Sequence, residues 1–490
     1  MKGLPENWIL CMLNELLVSL ESGSRPRGGV QGIQEGIPSI GGEHLTYEGG
    51  FNFRSIKFVP QDFATKMSKG HIKKNDVLIV KDGATTGKTA FVGEDFPYEE
   101  AVVNEHVFIC RTTELISPRF LFRYLISEEG KNEILKNFQG SAQGGINSSF
   151  AANTVIPLAP INEQRRIVDK LEKLLARVKN CRERLDKIPG LLKRFRQSVL
   201  AAACSGRLTA DWREKNPGVE PANKLSETII EIKSNQDHTI DHMKFEIWQY
   251  IPVSQVTRVV LGGTPKRTVS SYWNGSIKWA RAKDIANCTT CYIFNTEETI
   301  TEDGVKNSVA KILPKGTVII TARGTVGEVR ILGEDMAINQ SCYGLLPRNG
   351  IESKFLYYAL QGSMRNVYDL TYGTVFSTIT IKTFDNIFIP LCSLEEQQEI
   401  VRRVDALFKI ADQIETRYQK AKAYVDKLTQ SILAKAFWGE LVLQDPADEP
   451  AAILLERIRE ERARRVLESL QKGSSRRKSR PGGEKKANKA

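Results

Sequence analysis

The chain has few cysteines for its length and no long apolar run, and each shortage excludes a class of protein. Eight cysteines are scattered over 490 residues without a tight framework, whereas small secreted folds are dense in disulfides, so we expect a reducing, cytoplasmic compartment. No apolar run approaches the roughly 18 residues of a membrane span, and the opening MKGLPENW has no apolar signal region. We therefore expect a soluble, intracellular protein with no membrane partner.

Groups of metal ligands are also scarce. Cys288 and Cys291 form a single Cys-x-x-Cys pair with no second pair nearby, and His238 and His242 share one predicted helix face without further ligands. Because a structural zinc site needs four ligands, we expect no metal site.

Recognisable catalytic motifs are missing as well. GATTGKT (Gly83–Thr89) has three residues between its glycines where a phosphate-binding loop needs four, and its duplicate has Glu328 at the lysine position. We find no Asn-Pro-Pro-aromatic or Asp-Pro-Pro-aromatic tetrapeptide of an amino-methyltransferase, no acidic–lysine cluster of a nuclease and no Ser/His/Asp set. The chain is therefore expected to bind no cofactor and to carry no catalytic residue.

Charge is unevenly distributed along the chain. The net charge is +12 and the isoelectric point is near 9.2, which weakly favours a polyanionic partner. Residues 471–490 hold eight Lys/Arg and one Glu, so +7 of that charge lies in a low-complexity tail. We expect residues 473–490 to be a disordered, solvated tail; non-specific contact with DNA is the alternative.

What the chain does contain is a long internal repeat. IPLAPINEQRRIV (Ile156–Val168) returns as IPLCSLEEQQEIV (Ile389–Val401), and the ungapped match through Leu208 and Leu441 has 17 identities in 53 positions. A repeat of this length indicates one supersecondary unit used twice. Weaker, ordered similarity lies upstream, where DVLIVKDGATTGKTAFVGED (Asp76–Asp95) aligns with TVIITARGTVGEVRILGED (Thr317–Asp335). The chain is therefore two copies of a globular piece followed by a helical piece.

The globular pieces, roughly residues 1–155 and 245–388, are predicted to be α+β. Short apolar runs bounded by Gly, Asp and Lys are typical of buried strands, and short helices are predicted from two further segments. The predicted strands are Val77–Val80, Val107–Cys110 and Val318–Thr321, and the predicted helices are Phe120–Ile126 and Phe355–Leu360. The helical pieces occupy residues 156–244, which include a linker, and residues 389–472.

Each helical piece has an apolar seam whose steps alternate between four and three residues, the pattern of a coiled coil. The first copy is interrupted at Pro189 and Gly190, where we expect a break because proline is not tolerated inside a helix. Each seam could pack on its own globular piece; because both are long and in matching phase, mutual antiparallel packing is favoured. The seam residues are Ile167, Leu171, Leu174, Val178 and Leu185 in the first copy and Ile400, Val404, Leu407, Ile414, Tyr418, Val425 and Leu428 in the second.

A duplicated chain of this kind could act as a ruler. The first uninterrupted stretch, Asn162–Ile188, would be about 40 Å long at about 1.5 Å per residue. That length is close to one helical turn of DNA, about 34–36 Å. Two globular modules on paired helices could therefore meet two short DNA sequences at a fixed gap.

Four segments together resemble the specificity subunit of type I restriction–modification enzymes. They are the IPL-x-x-x-x-EQ entry, the long helix, the QSVLAAACSGRL exit (Gln197–Leu208) and GGTPKR…YW…IKWARAKDI (Gly262–Ile285). LDKIPGLLKRFRQSVL (Leu185–Leu200) and the repeated EPA-x-x-L element resemble the enteric-type branch most. The first module departs from the pattern, because GSRPRGG (Gly23–Gly29) stands where the second has GGTP and Tyr272–Trp273.

The resemblance implies a fold of two pseudo-symmetric α+β target-recognition domains joined by two long antiparallel helices that form a coiled coil. Each domain would read half of a bipartite, asymmetric double-stranded DNA site, while the helices set the gap and dock two adenine-N6 methyltransferase subunits. Motor-endonuclease subunits would join the complex. S-adenosylmethionine, ATP and magnesium would belong to those partners, and this chain would be a non-catalytic recognition subunit of a cytoplasmic host-defence system.

Candidate DNA contacts lie on glycine-bounded loops and near the second-module motif. Arg and Lys position a protein on phosphates, and Arg, Asn and Gln can read base edges. The candidates in the first module are Arg25, Arg27, Lys81, Lys88, Gln143 and Asn147; those in the second are Lys266, Arg267, Tyr272, Arg281, Lys283, Arg323, Thr374 and Thr378. Trp273 is expected in the core, and Asn104 and Asn339 are expected to be structural.

Two features of the sequence allow more than one interpretation. Lys283 aligns with Glu43, a charge change that would suit different DNA targets. The Glu-Gln pairs that open the long helices, Glu163–Gln164 and Glu396–Gln397, could complement the helix macrodipole or dock a methyltransferase.

Two other classes of function compete with DNA recognition. A self-contained site-specific nuclease or methyltransferase would need a cofactor motif and would be active as a single chain. A coiled-coil scaffold would show no preferred DNA and little dependence on salt, whereas DNA binding weakens steeply with salt.

Overall fold

The computed structural model describes residues 3–140, 144–219, 248–370 and 378–478. Contacts between residues divide the chain into two compact units, which do not follow the order of the chain. The first unit is Met1–Leu185 with Ala421–Ala490, and the second is Asp186–Lys420. The end of the chain therefore packs with its beginning.

In the described residues of the first globular module, nine strands and four short helices precede the first long helix. The strands are β1 Ile9–Met12, β2 Leu17–Ser22, β3 Ile37–Ile40, β4 Lys57–Val59, β5 Val77–Val80, β6 Thr89–Phe91, β7 Val102–Val103, β8 Val107–Thr112 and β9 Val155–Leu158. The helices are α1 Gln61–Lys66, α2 Pro118–Leu125, α3 Glu128–Leu135 and α4 Phe150–Asn153, followed by α5 Ile161–Leu185. This α+β composition confirms the prediction for the module.

The described part of the second unit begins with two helices, α6 Ile188–Cys204 and α7 Ala210–Lys215, and resumes at residue 248 in the second globular module. The described strands are β10 Gln249–Pro252, β11 Thr257–Leu261, β12 Trp273–Ala280, β13 Tyr292–Ile293, β14 Glu298–Ile300, β15 Ile312–Leu313, β16 Val318–Thr321, β17 Val329–Leu332, β18 Met336–Ile338, β19 Cys342–Pro347 and β20 Phe388–Leu391. The described helices are α8 Val253–Val256, α9 Ala282–Asn287, α10 Glu302–Lys306 and α11 Ser353–Leu370.

Two further long helices complete the described chain: α12 Leu394–Phe437, with 44 residues, and α13 Ala451–Lys478, with 28. Short 3-10 helices occur at Leu13–Leu16, Gly42–His44, Arg207–Thr209, Ser270–Tyr272 and Ile381–Asp385. Within the described segments, no helix combines the length and apolarity needed to cross a membrane.

The two globular modules have the same sheet topology. The main sheet has the order β2-β8-β5-β6 in the first module and β11-β19-β16-β17-β13 in the second. A smaller sheet has the order β4-β3-β7 in one and β14-β12-β18-β15 in the other, and a third pair joins the first strand of each module to its last, β1-β9 and β10-β20. The predicted duplication is therefore confirmed strand by strand, with β13 and β15 as additions to the second copy.

The predicted strands and helices of the modules are also found. Val77–Val80 and Val318–Thr321 are central antiparallel strands whose residues are all buried, and Val77 pairs with Cys110 as Val318 pairs with Leu345. Apolar residues fill both faces because helices and the second sheet cover them. The predicted helix Phe120–Ile126 corresponds to α2, which Ser117 caps by accepting a hydrogen bond from the amide of Phe120.

Within each unit, two segments of the long helices run antiparallel. In the first unit, Arg166 pairs with Asp448 and Arg182, further along α5, pairs with the earlier Asp426. In the second, Arg196 of α6 pairs with Asp412, whereas Asp211, which follows α6, pairs with the earlier Arg403. The order of partners therefore reverses in both units, as the predicted antiparallel pairing requires.

The predicted break between the helices lies where proline requires it. Helix α5 ends at Leu185, and α6 begins at Ile188 with Pro189 in its first turn, where a missing amide costs no intrahelical hydrogen bond. Both repeats end alike, because Gly206 and Gly439 adopt left-handed φ values of 75° and 74° just after α6 and α12.

Most of the predicted seam residues lie in the helix contacts. Ile167, Leu171, Val178 and Val425 share the buried core of the first unit, and Leu174, Leu185 and Leu428 pack against it. In the second unit Ile400 and Val404 are buried and Leu407 packs beside them; Tyr418 is 7% exposed. Ile414 departs from the prediction, because it is 42% exposed along with its neighbour Ile410 at 50%. Arg196 of α6 pairs with Asp412 and Glu415 on either side of Ile414, so a helix lies beside this position without covering it, which the periodic pattern alone did not predict.

The basic tail also differs in part from the prediction. Helix α13 continues through Lys478, so residues 473–478 are helical where disorder was expected. The preceding stretch is rich in Glu, Arg, Ala and Leu, which favour helix, and Arg465 pairs with Glu461 one turn earlier. Residues 479–490 lie outside the described residues, as do His238 and His242.

Candidate nucleic-acid interface

In the first module, four loops converge at the end of the main sheet. The amide of Lys81 donates to the carbonyl of His106 over 2.8 Å, and the amide of Ile146 donates to the carbonyl of Lys81 over 2.7 Å. The amide of Gly23 donates to the carbonyl of Asn104 over 3.2 Å. We call residues 23–27, 81–83, 104–106 and 144–147 the first loop cluster.

The second module repeats the first two of these hydrogen bonds, and a glycine next to the equivalent of Gly23 makes a different third one. The amide of Ala322 donates to the carbonyl of Ser341 over 2.7 Å, and the amide of Ile379 donates to the carbonyl of Ala322 over 3.0 Å. The amide of Gly263 donates to the carbonyl of Ile338 over 2.9 Å. We call residues 262–267, 322–324, 339–341 and 378–379 the second loop cluster.

The two clusters share a backbone frame but carry different side chains. Lys81 and Asp82 stand where the second module has Ala322 and Arg323, and Glu105 and His106 stand where it has Gln340 and Ser341. Asn104 and Asn339 are alike, because each side-chain oxygen accepts the amide of the residue two positions later, over 2.9 and 3.1 Å. The asparagines thus shape the turn, as expected, and their neighbours vary in chemistry.

The first loop cluster is a network of mixed charge. His106 Nδ1 lies 2.5 Å from Asp82 Oδ1, and Arg25 Nε lies 2.6 Å from Glu105 Oε1. Lys81 Nζ donates to the carbonyl of Glu105 over 2.8 Å. Among the described residues, Glu105 Oε2 has no hydrogen-bond partner. The cluster therefore presents both donors and acceptors, which reading base edges requires.

Two of the predicted residues of the first module, Arg25 and Lys81, lie inside this network. Arg27 is exposed on the same cluster, and the exposed Asn147 accepts hydrogen bonds from the amide and the hydroxyl of Ser149. Lys88 lies outside the cluster, 4.3 Å above the exposed ring of Tyr47. Gln143 lies outside the described residues.

Some of the predicted residues of the second module lie in the second loop cluster, and others lie outside it. Lys266, Arg323 and Thr378 belong to the second loop cluster, where Lys266 and Arg323 are exposed. Arg267 belongs to the cluster but turns to the smaller sheet, 3.9 Å from the Trp273 ring and 2.8 Å from Glu298 Oε2. Tyr272 lies in the short turn that begins β12. Thr374 lies outside the described residues.

Arg281 and Lys283 are held by carboxylates of their own module. Arg281 contacts Asp284 over 3.2 Å, Glu298 over 3.0 Å and Glu297, and the hydrogen bond to Asp284 raises the pKa of its guanidinium. Lys283 lies 3.2 Å from Glu297. These cations reach DNA phosphates only if they leave existing partners.

The charge difference between Glu43 and Lys283 has a local explanation. Glu43 pairs with Lys57 over 2.5 Å, and Lys283 pairs with Glu297. Both pairs link the turn after the central strand of the smaller sheet to the start of its edge strand. The modules therefore carry the same ion pair with opposite polarity, which accounts for the change without reference to DNA. Trp273 is half-buried and packs edge-on against the buried Trp279 at 5.2 Å between ring centroids, so it lies at the margin of the core rather than inside it.

Sequence reasoning missed the acidic and histidine members of the first loop cluster. Asp82, Glu105, His106, Gln340 and Ser341 are neither Arg nor Lys, so a pattern of cations on glycine-bounded loops does not include them. Alignment of the two copies could have identified them, since these positions flank the shared asparagine and differ in chemistry between copies.

The Glu-Gln pairs attach each module to its long helix. Glu163 Oε2 accepts the indole of Trp8 over 3.0 Å and its Oε1 accepts Gln444 over 2.7 Å; burial raises the Glu163 pKa. In the second unit Glu396 Oε2 accepts the indole of Trp248 over 3.1 Å and Oε1 accepts the Thr209 hydroxyl over 2.7 Å.

The glutamines complete the attachment. Gln164 Oε1 accepts the amide of Ser117 over 3.0 Å, and Gln397 Oε1 accepts the amide of Glu352 over 2.9 Å. All four Glu-Gln side chains are at most 4% exposed, so they have almost no surface to offer a docked partner.

Cysteine chemistry and metal ligation find little support in the described segments. All eight cysteines are free thiols, and burial raises the pKa of Cys204, Cys291 and Cys342 to about 12, which disfavours the nucleophilic thiolate. Over residues 3–140, 144–219, 248–370 and 378–478, no group of three or more His, Cys, Asp and Glu could hold a metal ion.

Twin α+β modules with matching loop frames and different loop side chains, each attached to a long helix, define a duplicated recognition protein. Residues 23–189 and 246–423 match the family described as Type I restriction modification DNA specificity domain. Because these stretches make up well over half of the chain, the chain belongs to this family, which confirms the resemblance found in the sequence.

Curated relatives agree with that assignment. The chain is 31% identical to the specificity subunit of the type I restriction enzyme EcoDI of Escherichia coli over 402 residues, 79% of this chain and 84% of that protein. It is 29% identical to the EcoKI specificity subunit of E. coli strain K12 over 485 residues, 94% of this chain and 96% of that protein.

Solved structures show the same fold. A chain from a study of the assembly and conformational transition of the type I R-M system has a TM-score of 0.63 at 22% identity, with 90% of this chain and 100% of that chain covered. The HsdS subunit from Thermoanaerobacter tengcongensis has a TM-score of 0.56 at 20% identity, with 89% and 98% covered.

Proposed function

We propose that this chain is the DNA sequence-recognition subunit of a type I restriction–modification complex. Each loop cluster reads one half of a bipartite, asymmetric site in double-stranded DNA. The supporting observation is the pair of matching backbone frames: Lys81 and Ala322 make equivalent hydrogen bonds, while Asp82 and Arg323, the next residues, differ in charge. A shared frame presents side chains alike, and different side chains select different bases.

Specific side chains follow from this proposal. Arg323 would donate two hydrogen bonds to a guanine edge, whereas Asp82 and Glu105 would accept from the amino group of cytosine or adenine. Arg25, Arg27, Lys81 and Asn147 in the first module, and Lys266 and Thr378 in the second, would contact phosphates or flanking bases. Arg267 would do so only after leaving Glu298. Gln143, Thr374, Lys88, Tyr272, Arg281 and Lys283 remain candidates from the sequence.

The same proposal covers the rest of the complex. The long helices set the gap between the half-sites and dock two adenine-N6 methyltransferase subunits, and motor-endonuclease subunits complete the assembly. The target-recognition domains are residues 1–155 and 245–388, and the helical regions are 156–244 and 389–472. Catalysis, with S-adenosylmethionine, ATP and magnesium, resides in the partner subunits, and this chain contributes none.

The test is to co-express the chain with an adenine methyltransferase partner and to map methylated adenines across a genome. Arg323→Ala should relax one half-site, with a loss of about 1–3 kcal/mol of discrimination at one base pair, and Asp82→Asn should relax only the other. Lys382→Ala removes an exposed cation of the second module outside the loop cluster and should leave both halves unchanged.

Exchange of residues 245–388 for the equivalent module of another family member extends the test. One half-site should change and the other should persist. A change in both halves, or salt-insensitive binding to DNA without sequence preference, would contradict the proposal.

A further inference from the structure

A second attachment joins each globular module to its long helix, further along the helix than the Glu-Gln pair. In the first unit, Glu172 of α5 accepts both Nε and Nη2 of Arg123 on α2, over 3.0 and 2.7 Å. Arg119, one turn earlier on α2, lies 3.4 Å from the same Glu172 oxygen. The Arg123 side chain is only 15% exposed, so water screens this contact less than a typical surface pair.

The second unit has an equivalent attachment made from different side chains. Asp405 of α12 accepts Lys354 Nζ over 2.6 Å and the Tyr358 hydroxyl over 2.5 Å, both from α11. The Lys354 side chain is 20% exposed. Burial lowers the Lys354 pKa and the hydrogen bond with Asp405 raises it, with a net rise, so the lysine stays charged.

The two carboxylates occupy the same position in the repeat. Glu172 and Asp405 are separated by the 233 residues that separate the two Glu-Gln pairs, and Arg119 aligns with Lys354 as Arg123 does with Tyr358. The donors changed from two guanidiniums to an ammonium and a phenol, yet a helix carboxylate still meets two donors one turn apart. The recurrence of this geometry with different donors indicates that the link itself matters.

Two attachment points restrict the orientation of a module on its helix more than a single point does. Glu172 lies nine residues beyond Glu163, as Asp405 lies nine beyond Glu396, which is about 13.5 Å along a helix at about 1.5 Å per residue. The Glu-Gln pair holds the entry of the helix in the module. A second contact 13.5 Å away resists rocking of the module about the first.

We propose that Glu172 and Asp405 are positioning residues that fix the tilt of each target-recognition domain on its long helix and so restrict the gap at which both half-sites can be read. This proposal rests on the proposed function. Neither residue touches DNA; each acts through the domain that it orients. Loss of one link should let that domain reach DNA displaced by a base pair without a change in the bases it prefers.

The experiment measures methylation by the assembled complex on duplexes that carry both half-sites at the native gap and at gaps one base pair shorter and longer. Glu172→Ala and Asp405→Ala should each raise the ratio of altered-gap to native-gap methylation by about tenfold, the factor that corresponds to about 1.4 kcal/mol, while both half-sites persist. Tyr358→Phe, which removes one donor at nearly constant volume, should raise the ratio less.

Controls separate positioning from simple loss of stability. Glu183→Ala on α5 and Glu395→Ala on α12 remove exposed carboxylates of the same helices and should leave the ratio unchanged. Glu172→Asp, which keeps the charge, should return the ratio toward wild type. If an alanine variant fails to fold, the near-isosteric Glu172→Gln and Asp405→Asn variants replace it, and the same methylation ratio is measured.

The outcomes are distinguishable. A variant that loses methylation equally at all gaps would overturn the positioning role and leave the proposed function intact. A wild-type complex that methylates no two-part sequence would overturn the proposed function and this inference with it.

Discussion

Equivalent positions of the two long helices carry different charged residues with different partners. Glu399 of α12 accepts Arg402 Nε over 2.7 Å and Arg403 Nε over 2.6 Å, and Arg403 also binds Asp211 after α6. The Arg402 and Arg403 contacts, against the opposing effect of burial, lower the Glu399 pKa from 4.5 to about 2. Arg166 is the equivalent of Glu399 and pairs with Asp448 instead.

This carboxylate predicts a pH dependence of stability. A depressed folded-state pKa contributes stability that is present above about pH 4.5 and is lost as pH falls toward about 2. Glu399→Gln should therefore lower the urea midpoint at about pH 6, and its deficit should shrink as pH falls through this window.

Glu395→Gln is the matched control for that prediction. Glu395 is an exposed carboxylate in the first turn of the same helix, so Glu395→Gln should lower the urea midpoint less than Glu399→Gln does. An equal deficit for Glu399→Gln at about pH 6 and about pH 3 would contradict the argument.

Residue-level roles were the hardest to predict from sequence. Cations on glycine-bounded loops are easy to notice, so Arg25, Lys81 and Arg323 were identified in the loop clusters. Arg281 and Lys283 are cations too, but their pairing with Glu297 depends on how β12 and β14 come together in space. Sequence shows a charge and does not show its partner.

At the scale of elements, equivalent glycines at the ends of β2 and β11 allow the loop clusters to form. A Cβ on Gly23 would lie 1.5 Å from the carbonyl oxygen of Val103, and one on Gly262 would lie 2.0 Å from the carbonyl oxygen of Asn339. Both carbonyls belong to backbone that lines the clusters, so neither can yield without moving the loops.

Gly23→Ala should therefore weaken recognition of one half-site and Gly262→Ala that of the other, each at a cost of about 1–3 kcal/mol typical of overpacking. Binding to duplexes with one half-site altered at a time is the measurement. Gly3→Ala, where a Cβ would meet no atom within 4 Å, should change neither. Equal weakening of both halves by either variant would count against separate loop clusters.

Elements were more predictable than side-chain partners. Unbroken apolar runs predicted β5 and β16, and proline predicted the break before α6. The parallel pairings of β3 with β7 and of β12 with β18 could not be predicted, because they join segments far apart in sequence. Exposure of Ile414 was missed because a periodic pattern does not report what lies opposite.

At the scale of the whole molecule, the internal duplication made much of the fold predictable. Once 17 identities in 53 positions established a repeat, a feature of one half became an expectation for the other, and the matching sheet orders agree. The division into units was not foreseen: Ala421–Ala490 joins the first unit through contacts such as Arg459 with Glu15, which no local pattern reports.

If the paired helices act as a ruler, lengthening both of them should lengthen the gap between the half-sites. Val178 and Val425 lie in the same core of the first unit, on segments that run antiparallel, so insertion of seven residues after Val178 and seven before Val425 should lengthen both helices in phase. Seven residues add about 10.5 Å at about 1.5 Å per residue, which is about three base pairs at about 3.4 Å each.

The mapped gap should therefore grow by about three base pairs with both half-sites unchanged. Insertion after Val178 alone leaves the facing helix too short, so it should abolish methylation or lower it sharply, since the seam then loses its partner. Methylome mapping of the double insertion decides the matter: an unchanged gap in an active complex would show that something other than these helices sets the distance.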